Sequence, residues 1–94
     1  MEQVEEKYGE TPPRLAVEVL SPNDTANKVM QRVVEQLTFG VPLVWVVDPE
    51  SNSVAIYRPG KQPYLVKHDE ALTGDDVLPD FRCKAAEFFR LPGQ

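Results

Sequence analysis

The run Pro42 to Asp48, PLVWVVD, restricts this chain more than any other stretch. Its apolar residues follow one another without a polar partner face, and most are β-branched, so the segment reads as a strand buried on both sides. Such a strand needs a covering layer on each face. Upstream, Arg14 to Leu20 (RLAVEVL) is short and rich in β-branched residues. Leu15, Val17 and Val19 fall on one face of that strand, and Ala16, Glu18 and Leu20 on the other. The first set is expected to be the core face. The second would be wholly apolar but for Glu18.

Between the two strands lies a helix pattern. Ser21 suits an N-cap, Pro22 the first helical position and Asp24 the third, where an acid can reach back to the cap. Ala26, Val29, Met30, Val33 and Leu37 recur at spacings of three and four, which makes an apolar stripe. Gly40 is expected to close the helix in a left-handed conformation. A strand, a helix and a second buried strand predict a parallel pair joined by a right-handed crossover.

Downstream, the turn Asp48 to Ser53 leads into Val54 to Arg58, an alternating strand expected to form a hairpin with the buried run. Pro59-Gly60 is a second turn, and Pro63 to Lys67 a third strand suited to an edge. The stretch His68 to Asp80 holds five acids and no Lys or Arg, and reads as a long connection. Within it, Val77 to Phe81 reads as a loop pinning apolar residues to the core. Ala85 to Leu91 is expected to be a terminal helix. The predicted class is therefore α/β or α+β, a mixed sheet with one crossover helix and an antiparallel meander.

With 94 residues the chain has room for one core. Residues 1–13 read as an N-terminal arm, with Glu2 to Tyr8 long enough for a short helix and Pro12-Pro13 forcing an extended entry. Residues 14–91 read as the single domain. No run of about 18 apolar residues offers a membrane span, and the acidic start lacks the apolar centre of a signal peptide. The single Cys83 excludes an internal disulfide and a cysteine-based zinc site, so the reducing cytoplasm is the expected compartment. A formal charge of −5 gives the chain no basic footprint, and any phosphate-binding role must rest on a local site or an assembled oligomer.

The blocks LAVEVLSPND, Phe39-Gly40-Val41, LVWVVDPE, YRPG and LTGDDVLPDF, in this order and separation, resemble the Uma2 family of restriction-endonuclease-like proteins, also known as domain of unknown function 820. The resemblance runs from about Pro13 to Phe89. It implies a restriction-endonuclease-like core of the PD-(D/E)XK type, magnesium-dependent phosphodiester cleavage, and DNA as the partner. It places Glu18 at the family's strand glutamate, the metal ligand. The lysine usually found two residues after that acid is replaced here by Leu20. In the family the basic residue has moved to the next helix, which corresponds by spacing from Gly40 to Arg32. Lys28, one turn earlier, is the only lysine on that helix. Glu18, Lys28 and Arg32 are thus the candidate catalytic residues, with Glu18 as the Mg2+ ligand.

The Pro-Asp pair that supplies the family's metal-binding aspartate has no counterpart before Leu15. The chain resembles the C-terminal half of the family, truncated at its N-terminus. One carboxylate is a weak magnesium site, and arginine stays protonated and cannot act as a base. Two functions follow as expectations: a nuclease-family domain that is incomplete or inactive as an isolated chain, or a non-catalytic interaction and dimerisation module. The unpaired edge of the Arg14–Leu20 strand, or the N-terminal arm, is the expected homodimer contact. The remaining polar and aromatic residues read as structural: Asp48 and Glu50 as turn residues, Trp45 and Tyr57 as packing, and His68, Cys83 and the Asp75-Asp76 pair as carrying no metal or catalytic role.

Overall fold

A computed structural model describes residues 11–89. The proposed helix at Glu2–Tyr8 and the end of the terminal helix at Leu91 lie outside the described residues. The elements are β1 (Ala16–Val19), α1 (Ala26–Phe39), β2 (Val44–Asp48), β3 (Ser53–Tyr57), β4 (Tyr64–Val66), β5 (Ala71–Gly74), β6 (Leu78–Lys84) and a single-turn helix α2 (Ala85–Phe88).

The first four strands form one sheet in the order β1-β2-β3-β4. β1 pairs parallel to β2, with Glu18 opposite Val46, and β2–β3 and β3–β4 are antiparallel. The crossover and the meander are as the pattern predicts. β2 is buried from Val44 to Val47, which explains its unbroken apolar run.

Each face of β2 has its own cover. On one face α1 lays Val29 and Val33 over Val41, Val44 and Val46, with Ala16, Leu20, Ala55 and Tyr57 at the margin. On the other, Leu43, Trp45, Val47, Val54 and Ile56 meet Leu72 and Ala85. That second cover is a hairpin, β5–β6, where the sequence reading had a loop from His68 to Asp80. The register slips between Thr73 and Gly74. A side chain at Gly74 would collide with the Cβ and carbonyl oxygen of Leu78, so the bulge requires glycine. The hairpin carries Pro79 and several exposed polar residues, which hides the alternation that marks a strand.

Two further expectations are corrected. The helix starts at Ala26, not at Pro22: Thr25 is the N-cap, its hydroxyl accepting from the Lys28 amide at 3.2 Å. Ser21 to Asp24 is instead a closed turn, with the Asp24 amide bonded to the Ser21 carbonyl and the Ser21 amide to Asp24 Oδ2. At the other end Gly40 adopts φ 109°, and its amide reaches back to Gln36 and Leu37, as expected. The second correction concerns the faces of β1. Leu15 packs against the core as expected, but Val17 and Val19, assigned to the same face, are 44% and 58% exposed, while Ala16 and Leu20 pack beneath α1. Alternation separates the two faces of a strand but does not reveal which one is covered.

Candidate functional site

The site lies where β1 ends and α1 begins. Alternation in β1 turns Glu18 toward α1, and the second turn of α1 brings Arg32 over it. Arg32 Nε donates to Glu18 Oε1 at 2.9 Å, and Arg32 Nη1 to Asp24 Oδ1 at 3.4 Å. One guanidinium thus joins a strand acid to a turn acid. The side chains of Glu18 and Asp24 are 18% and 19% exposed, and that of Arg32 35%. Hydrogen bonding to Glu18, then to Asp24, raises the Arg32 pKa above its ordinary value. The Asp24 carboxyl is held below its ordinary value, first by the Ser21 backbone and then by Arg32.

Of the three candidates, Glu18 and Arg32 are brought into contact. Lys28 is not: it is exposed, and among the described residues its ammonium has no hydrogen-bond or ion-pair partner. Asp24, which also meets Arg32, was not among the candidates because its spacing suits a helix cap. The signal available was the competing cap at Thr25, which frees Asp24 for another role.

A crevice of about 350 Å³ opens beside this cluster, lined by Leu20, Ser21, Pro22, Asp24, Asp48, Pro49 and Glu50. It sits beyond the carboxyl ends of the parallel strands, where open α/β sheets bind ligands. All the charged residues of its lining are acids. Asp48 has both carboxylate oxygens engaged, Oδ1 by the Glu50 amide at 3.0 Å and Oδ2 by the Ser51 hydroxyl at 2.9 Å. It therefore serves the turn, as its sequence context suggests. Asp75 likewise binds the Tyr64 hydroxyl through both oxygens and lies 3.9 Å from Arg58 Nε. That cluster ties the two sheets together. Trp45 packs against Phe81 and Phe88 at 5.5 and 5.9 Å between centroids, and Tyr57 packs under α1, its hydroxyl 3.6 Å from Met30 Sδ. Burial is the main reason that the Cys83 thiol pKa is raised.

The carboxylates do not fit a magnesium ion as arranged. Mg2+ requires near-octahedral oxygen ligands, commonly including one or two carboxylates. Here the two neighbouring carboxylates share one guanidinium, and among the described residues no group of three or more His, Cys, Asp or Glu could hold a metal ion.

The fold is that of a nuclease-like α+β domain. It is similar, at a TM-score of 0.73 and 23% identity, to the crystal structure of a putative nuclease belonging to DUF820 from Anabaena variabilis ATCC 29413. The match covers 83% of this chain and 44% of that one, so the chain spans less than half of that protein's length. The Uma2 family, described as "Putative restriction endonuclease", matches residues 2–86, and this chain belongs to it. No match was found among curated proteins. No helix among the described residues is long and apolar enough to cross a membrane.

Proposed function

We propose that this chain is a nuclease-family domain of the PD-(D/E)XK type that does not cleave phosphodiesters on its own. Glu18 is the strand acid of the site and Arg32 its cation, while Lys28 stands apart. The observation that carries this reading is the bridge from Arg32 to both Glu18 and Asp24, which leaves no open pair of carboxylates for an ion. The acid-lined crevice and the net charge of −5 also disfavour an unassisted approach by DNA, the partner that the family description suggests. Magnesium-dependent cleavage then requires a further carboxylate from outside the described residues. A reducing cytoplasm suits the unpaired Cys83. The test is incubation of the purified chain with supercoiled and single-stranded DNA in Mg2+ or Mn2+. No cleavage above a Glu18→Ala control is expected; magnesium-dependent cleavage abolished by Glu18→Ala overturns the proposal.

A second reading, pairing of two copies through β1, is supported by its free edge. Ala16 N donates to Leu43 O and Leu20 N to Val47 O, so alternation sends the amides of Val17 and Val19 to the opposite edge. Among the described residues no strand pairs there. Both side chains are exposed apolar groups. Sedimentation of the chain at micromolar concentration should give a dimer, and Val19→Lys a monomer. A monomeric wild type removes this reading.

A further inference from the structure

Arg32 occupies the place where two acids converge, and its chemistry differs from that of the lysine that the family resemblance puts there. A lysine ammonium is a point charge on a flexible stem. A guanidinium is a planar fork that keeps its proton and can bind two carboxylates at once. Both properties are used: Nε meets Glu18 at 2.9 Å and Nη1 meets Asp24 at 3.4 Å. Asp24 is also fixed from behind, its Oδ2 accepting from the Ser21 amide at 2.9 Å and the Ser21 hydroxyl at 3.3 Å. The turn Ser21–Asp24 therefore presents the remaining oxygen, Oδ1, to the helix.

We infer that Arg32 is the resident cation of this site and excludes a divalent ion from it. Mg2+ held at about 2.0–2.1 Å by the two converging oxygens, Glu18 Oε1 and Asp24 Oδ1, would displace the guanidinium from both. The guanidinium would then remain charged within a few ångströms of a dication. The acids are already neutralised, so the ion would gain less than it does at an open pair. The inference rests on the nuclease-fold reading of Glu18 but is independent of DNA.

The test is a titration of the 15N-labelled full chain with Mn2+ as the probe, following paramagnetic broadening of backbone amides. Wild type should show no broadening centred on Glu18, Asp24 and Val46 at millimolar Mn2+. Arg32→Ala should gain it, with apparent affinity higher by about tenfold or more from removal of one charge beside the ion. Glu18→Gln in the Arg32→Ala background should lose it again. Arg32→Gln, which is shorter than arginine but keeps a polar, uncharged side chain, replaces Arg32→Ala if the latter does not fold. Local broadening in wild type equal to that in the variants overturns the inference, as does a folded variant without any. The wild-type arm decides alone if neither variant folds. Mn2+ bound at Glu18 without DNA cleavage would refute this inference and spare the proposed function. DNA cleavage with no ion at Glu18 would do the reverse.

Discussion

The Glu18–Arg32 pair can be weighed by a double-mutant cycle with Glu18→Gln, Arg32→Met and the two combined. At the observed 2.9 Å, Coulomb's law gives about 1.4 kcal/mol in bulk water and about 6 kcal/mol at an effective dielectric of 20. The exposures of 18% and 35% place the pair nearer the first limit. Desolvation and side-chain ordering subtract further, so the expected coupling is about 1 kcal/mol, at the upper end for exposed pairs. The single variants should differ. Glu18→Gln leaves an amide oxygen that still accepts from Nε, whereas Arg32→Met leaves two acids without their shared cation. Arg32→Met should therefore be the more destabilising. Urea unfolding of the four proteins at neutral pH measures both quantities. A coupling below about 0.3 kcal/mol, or a larger loss for Glu18→Gln, would refute the argument that Arg32 organises the site. Asp24 adds a pH signature. Its carboxyl is held below the ordinary 3.8, so its contribution is complete above that value and is lost as pH falls through the lower, folded-state value. The gap between wild type and Arg32→Met should narrow on that acid limb.

Two other outcomes test the second cover of the sheet. Gly74→Ala should cost about 2–3 kcal/mol, since its methyl group would meet the Leu78 backbone, which cannot swing aside; a urea midpoint within error of wild type would refute the close approach. Cys83, its thiol pKa raised chiefly by burial, should react with iodoacetamide at pH 7.5 severalfold more slowly than a free cysteine peptide; equal rates would mean that the β6–α2 corner is open.

The legible parts of this fold were those in which one requirement dominated. Val44 to Val47 could only be a strand with two covers, and Gly40 could only end a helix, given the left-handed backbone it adopts. The start of α1 was misread because Ser21 and Thr25 are both good caps. Local propensity cannot choose between them, and the choice falls to Asp24, which binds the Ser21 amide and Arg32 instead of extending the helix. β1 was misread at Val17 and Val19 but not at Leu15, because three apolar residues in alternation outweigh Glu18 in any hydrophobic count. The mixed face is the one α1 covers, with Ala16 and Leu20 packed beneath it and Glu18 paired to Arg32. β5–β6 was invisible for a different reason: most of β6 is exposed, so its pattern carries little apolar signal. Of the candidate site, Glu18 and Arg32 come from the family resemblance, and the fold brings them into contact. Asp24 was not legible, since its role depends on a turn and a helix meeting in space.

The chain has one tryptophan, and it sits 2% exposed at the seam where β6 and α2 close over the sheet. α1 lies on the opposite face. Nature has thus fitted the molecule with two separable optical gauges, indole emission for one side and far-ultraviolet helicity for the other. Whether the two sides melt together or in sequence is written in the overlap of those traces, with no label attached.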